Sequence, residues 1–267
     1  MKLQRAFAIV LRQYYLMRGS MTRIVPLFGW VAIDILLWGF ITRFLNNVSD
    51  PGYNFVPALL GAVLFWDFMQ RVMQGVSMSF LEDVWSRNFL NVFATPLQLS
   101  EYLTGLVLTS ILGSMIGLIV MLLLASLGFG LSLLAYGALL LPFLLVLFLF
   151  GITLGIVAVA TVLRLGPAAE WFIWPIPAMI APFAGVFYPI STLPEPMRVI
   201  SYMLPPAYVF EGMRTIVSGK PLPGSSLLLA VGLAGVYLLA ACAYFASVHR
   251  RAVRTGLLAR YSAESVV

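Results

Sequence analysis

At 267 residues the chain is 61% hydrophobic and only 10% charged, with a mean hydropathy of +0.99, against the roughly 45–50% apolar and 25% charged residues of soluble domains. This composition excludes a soluble globular domain, and the net charge of +6, which in a soluble chain would point to nucleic acid, reads here as membrane topology. The single cysteine, Cys242, excludes an internal disulfide and a cysteine-based metal site.

The first 23 residues, MKLQRAFAIVLRQYYLMRGSMTR, lack an apolar run followed by a small-residue cleavage site, so a cleaved signal peptide is not expected. Leu3, Phe7, Val10, Leu11 and Tyr14 recur at three and four, while Lys2, Arg5, Arg12 and Arg18 lie mostly elsewhere on the wheel. The spacing predicts an amphipathic helix at the membrane surface. A plain positive-inside anchor with no other task is the alternative.

Six membrane-spanning helices are predicted at about 24–45, 55–80, 103–127, 137–163, 171–188 and 225–248, each near the ~20 residues that one crossing needs. Residues 102–163 contain no Asp, Glu, Lys or Arg. Long Leu, Val, Ala and Gly runs of this kind, without two-residue alternation, form helices that close their own backbone hydrogen bonds, and they exclude an outer-membrane barrel. The breaks fall at NNVSDPGYN (46–54), LGFGLSLLAYG (127–137) and RLGPAAE (164–170), where turn residues, glycine or charge interrupt the apolar pattern. Of the sixteen Lys and Arg, all but Arg43, Arg71, Arg198, Arg214 and Lys220 fall on the side of the N-terminus. By the positive-inside rule both termini are cytoplasmic.

Between the second and third spans, LEDVWSRNFLNVFATPLQLSEYL is too polar to cross but carries Val84, Trp85, Phe89, Leu90 and Phe93 at helical spacing. Glu82 and Asp83 stand at its start, where a helix dipole favours acids, and Pro96 ends it. A cytoplasmic helix over 81–98 is expected, as a connector or as a docking element for a partner. Beyond the fifth span, FYPISTLPEPMRVISYMLPPAYVFEGMR breaks at Pro189, Pro194, Pro196, Pro205 and Pro206. Residues 195–204 and 207–219 read as short amphipathic helices between these breakers. Neither can cross, and both are too apolar for a loop in free water, so residues 189–219 are expected to re-enter the membrane as an outer lid.

These two motifs, with the amphipathic start and the six spans, resemble the membrane subunit of type-2 ABC exporters over nearly the whole chain. The resemblance implies a homodimer in a bacterial-type inner membrane, with two copies of a separate ATP-binding subunit on the cytoplasmic face. It places Glu82, Asp83, Trp85, Arg87 and Phe89 in the groove of that ATPase, joined by the amino-terminal helix. Export of a hydrophobic or amphipathic substrate, a drug or lipid, follows by resemblance. A lipid-linked polysaccharide or lipo-oligosaccharide is the alternative cargo, and a non-transporting scaffold driven by a partner ATPase is the alternative of another class. The chain lacks a G-x-x-x-x-G-K-[ST] phosphate loop, so ATP and magnesium are expected in the partner and no cofactor in this chain. No catalytic or metal-binding set is expected; His249 heads the basic tail 249–267 without a second His or Cys nearby.

Within the spans, Asp34, Asp67 and Arg71 are candidates for the substrate path, with Asp67 and Arg71 four residues apart in the order that favours a helical ion pair. Glu170, at the cytoplasmic start of span five, is either a gate to that path or a boundary acid. Pro194, Glu195, Arg198, Pro205, Pro206, Glu211 and Arg214 are expected to form the outer gate. The G-x-x-x-G spacings Gly113/Gly117 and Gly151/Gly155 permit close helix contact, within the subunit or between copies.

Overall fold

The computed structural model describes residues 3–19, 21–48, 56–86, 91–92 and 95–255. Among them the chain is built from helices α1 (Leu3–Arg18), α2 (Met21–Val48), α3 (Gly61–Trp85), α4 (Leu99–Phe129), α5 (Leu140–Leu165), α6 (Pro175–Ala184), α7 (Glu195–Tyr202), α8 (Pro205–Val217) and α9 (Gly224–Arg254). Short helical links precede α3 (Val56–Leu60), α5 (Leu133–Leu139) and α6 (Pro167–Phe172). Five segments are long and apolar enough to cross a membrane: Gly29–Val48, Val56–Trp85, Leu99–Phe129, Tyr136–Leu165 and Gly224–Arg254. The all-helical membrane architecture read from the sequence therefore holds.

The chain's own atoms bury 72% of the most apolar window of the α5 segment and 61% of that of α3, but 17% of that of α9 and 22% of that of α2. Helices α3 and α5 are thus the centre of the subunit and the others its perimeter. Their contact depends on glycine. A Cβ on Gly151 would lie 2.7 Å from the Met69 carbonyl oxygen, and one on Gly155 would lie 2.8 Å from Val76 Cβ. Without side chains there, the α5 backbone sits directly on α3, the close approach by which membrane helices gain dispersion energy. Both glycines of that spacing are therefore used within the subunit. Gly113 has open space beside it, whereas Gly117 makes room for the Arg71 side chain.

The fifth expected span takes a different form. Residues 171–188 comprise the end of the Pro167–Phe172 link, a turn, and α6, whose 10 residues extend only ~15 Å. Pro175, Pro177 and Pro182 each remove a backbone donor in this stretch. Even so, the segment travels from one end of the bundle to the other. Glu170 accepts a hydrogen bond from the Trp85 indole at one end of α3. Gly185 accepts one from Arg214 of α8, and α8 packs at the opposite end, with Phe210 against Trp66 and Met213 near Gly61. Residues 170–185 span ~22–30 Å if helical or tighter.

The helix through Glu82 and Trp85 is α3 itself, continuing past the expected boundary at residue 81. Arg87 and Phe89 lie outside the described residues, as does the tail beyond residue 255; His249–Arg254 form the last turns of α9. The pieces expected at 195–204 and 207–219 correspond to α7 and α8.

Replacing Gly151 by leucine should force α5 off α3, a cost of about 1–3 kcal/mol or more because backbone cannot yield as a side chain can. We expect a sharp loss of monodisperse protein by fluorescence-detected size exclusion. Gly113→Ala, with nothing within 4 Å, should behave as wild type.

Candidate functional site

Among the described residues two polar clusters lie along α3, at its Trp85 end and its middle, and a third gathers around α8, which packs at its Gly61 end. The first is a knot between α1, α3 and α4. Asp83 is fully buried and forms an ion pair with Arg12 of α1. It also accepts a hydrogen bond from the Tyr102 hydroxyl of α4 at 2.9 Å. Burial pulls the Arg12 guanidinium down, but the hydrogen bond and charge of Asp83 outweigh it and hold that group above its ordinary value. A second pair runs alongside: Glu101 is 1% exposed and takes Arg5 at 3.3 Å and its own helix-start Gln98 N–H at 3.0 Å. Arg5 also donates to the Pro96 carbonyl, and Gln13 donates to the Ser79 carbonyl at 3.4 Å.

The amino-terminal helix therefore has two working faces. Ala6, Ile9, Val10 and Gln13, at spacings of three and four, are buried against the bundle, and Ile9 occupies the space left by Gly105. Of the apolar stripe that marks the sequence, Leu3, Phe7, Leu11 and Tyr14 are exposed, while Val10 belongs to the buried face. The sequence carried the signal for the buried face in Ala6, Ile9 and Gln13, but a small residue and an amide do not register as a hydrophobic stripe. Asp83 stands at the C-terminal end of α3, where the dipole disfavours an acid, so Arg12 is needed to hold it. Glu82 is half-buried and Trp85 is exposed, reaching Glu170 at 2.6 Å.

In the middle of α3, Asp67 and Arg71 are joined by Asp34 of α2, near enough for each acid to feel the guanidinium and for the two acids to feel each other. All three are half-buried. Arg71 lies across Gly117 of α4, its Cδ 3.1 Å from where a Cβ would stand. The cluster thus unites α2, α3 and α4 around two carboxylates and one guanidinium.

At the Gly61 end, Arg214 closes the C-terminus of α6. Gly185 ends that helix in the left-handed conformation (φ 68°), and Arg214 donates to the carbonyls of Gly185, Val186 and Tyr188. An arginine here satisfies acceptors that a helix end leaves open. Glu211 accepts the Ile190 N–H at 2.7 Å and lies 3.5 Å from Arg214. Arg198 donates to the carbonyls of Ser191 and Leu193 at 3.1 and 3.0 Å. Pro205 and Pro206 are buried in the first turn of α8, where a missing N–H costs nothing. Pro194 precedes α7, and Glu195 is exposed in its first turn. The structure brings Glu211 and Arg214 together with 185–190; it does not join Glu195 to them.

Removing the partner of a buried charge costs about 3–5 kcal/mol. We expect Arg12→Gln to lower the thermal midpoint in detergent markedly, and Arg12→Lys to recover part of it. Arg214→Gln leaves three carbonyls short of a donor and should expose the 185–190 segment to limited proteolysis while the far end of the bundle keeps its protection.

The sequence profile described as ABC-2 type transporter matches residues 5–217, a stretch that contains all three clusters. No curated protein matches the chain.

Proposed function

Because the chain belongs to the ABC-2 type transporter family, and is thereby an ABC permease subunit that associates with a separate ATP-binding subunit, we propose that it works as a homodimer. In this reading two copies of the ATPase drive export of a hydrophobic or amphipathic substrate from the cytoplasm or inner leaflet of a bacterial-type inner membrane. The Trp85 end of the bundle, with the basic residues of α1 and of the last turns of α9, faces the cytoplasm. Residues 170–185 make the sixth crossing, and both termini are inside.

The observation that carries the reading is that α3 is one unbroken helix from Gly61 to Trp85, running through the Asp83 and Asp67 clusters to the end where α8 packs. The ATPase docks on the segment that follows Trp85, with Glu82 and Trp85 at its edge, and Arg87 and Phe89 within it. Asp83 acts from beneath, as the tie that makes α1 move with α3. Displacement of the docked segment is carried along a rigid rod to Asp67 and Arg71, and on to Trp66 and Gly61, against which α8 rests. ATP binding acts by favouring one of two arrangements of that rod over the other.

The Asp34, Asp67 and Arg71 cluster lies on the substrate path, half-buried in an otherwise apolar wall. It suits a cargo with an apolar body and a polar group that donates hydrogen bonds or carries positive charge. Glu170, held by Trp85, gates access from the cytoplasm. Residues 189–219, with Pro194, Glu195, Arg198, Pro205, Pro206, Glu211 and Arg214, form the outer gate, pinned at Arg214.

The test is ATPase activity of the complex with its partner in lipid, across amphipathic drugs, lipids and lipid-linked glycans. We expect drugs or lipids to stimulate hydrolysis. Asp34→Asn should raise the half-stimulating concentration about tenfold, the worth of one charge-assisted hydrogen bond. Stimulation by glycans alone would assign the other cargo, and a stable complex that nothing stimulates would point to a scaffold.

A further inference from the structure

Between α2 and α4 lies a groove of about 400 Å³, within the size range of small-molecule sites. Its walls include Ala32, Leu36 and Phe40 of α2 and Leu124 and Leu127 of α4, and its one charged lining residue is Arg43. Its floor is closed by Phe129, whose ring meets Phe40 edge to face at 5.5 Å. Among the described residues Arg43 has no ion pair or hydrogen bond, and no acid lines the groove.

The dimensions are those of one leaflet. From Ala32 to Arg43 the α2 axis advances ~16 Å, and half of a ~30 Å hydrocarbon core is ~15 Å. Arg43 stands five residues before the end of α2 at Val48, about 7 Å from it, the depth from which an arginine reaches the headgroup region. Asn47 follows one turn on along the same face and is exposed. We infer that this groove is a resident lipid site, holding an acyl chain against Leu36, Phe40 and Leu127 and the phosphate of an anionic phospholipid on Arg43.

The charge selects the headgroup. In a zwitterionic lipid the cationic amine offsets the phosphate, whereas in phosphatidylglycerol nothing competes with the guanidinium. A second copy of the chain is a poor occupant. An isologous contact centred on the groove would set Arg43 against its own symmetry mate, a like-charge pair in lipid with no acid among the lining residues. The site stands on the groove and Arg43 alone and does not depend on the cargo proposed above.

Native mass spectrometry of the full-length chain in detergent, with equal phosphatidylglycerol and phosphatidylcholine added, tests it. Wild type should retain phosphatidylglycerol about fivefold over phosphatidylcholine, the effect of one arginine near an anionic headgroup. Arg43→Gln should bring that ratio near one, and Arg43→Lys should keep most of it. Gly128→Leu, whose Cβ meets nothing in the protein within 4 Å, should fill the groove and reduce retention of both lipids. Equal retention of the two lipids by wild type would overturn the assignment, as would an unchanged preference in Arg43→Gln. Loss of a dimer peak in Arg43→Gln or Gly128→Leu would overturn it too, by assigning this face to a second copy.

Discussion

In a bilayer there is no water to satisfy backbone groups or to drive apolar surfaces together, and this constraint organises the subunit. Helices close their own hydrogen bonds, and they adhere only where backbones approach closely enough for dispersion to act. Gly151 and Gly155 allow that approach between α5 and α3, and Gly75 allows it between α3 and α4, where the Ser110 hydroxyl donates to the Val72 carbonyl at 2.7 Å. The central pair fixes the axis on which the perimeter helices are arranged.

The same lack of water makes each polar side chain within the bundle consequential. Asp83 would be untenable alone; Arg12 and Tyr102 make it a tie between three helices. Such a pair adds little net stability against an apolar replacement, but breaking it is costly, so it fixes how α1, α3 and α4 sit together. At the other end Arg214 does similar work with neutral partners, holding the carbonyls that α6 leaves open. The first clamp sits at one end of α3, and the second on α8, which packs against the other end of that helix.

The perimeter is apolar outward. Trp30, Leu36, Phe40 and Phe44 on α2, Ile116, Ile119 and Leu127 on α4, and Leu228, Val236 and Leu239 on α9 are all exposed, as expected of surfaces that meet acyl chains or other membrane helices. Within this surface the groove between α2 and α4 is distinguished by Arg43, the charged residue among its lining.

Much of this was legible in the sequence. Apolar runs of spanning length placed α2, α3, α4, α5 and α9, because hydrophobicity over ~20 residues is a one-dimensional property. Prolines marked the starts of α7 and α8, because a ring that lacks an N–H is tolerated at a helix start and not inside. Composition and the two motifs sufficed to identify the family. The sequence could not assign partners across elements. Asp83 read as an acid at the start of a cytoplasmic helix, and Arg12 as a charge off the apolar face of an amphipathic one, since nothing in their local spacing links positions 12, 83 and 102. Likewise Asp34 joins Asp67 and Arg71 only once α2 packs on α4 and on the Val56–Leu60 link. The stretch 171–188, expected as one spanning helix, is instead a proline-interrupted segment with the 10-residue α6, because hydropathy reports what lipid tolerates and is blind to missing backbone donors. Span length and family were determined by the chain itself; which charges meet, which glycines carry the contact and where a groove opens were decided by packing, because they depend on distances between segments that the sequence holds far apart.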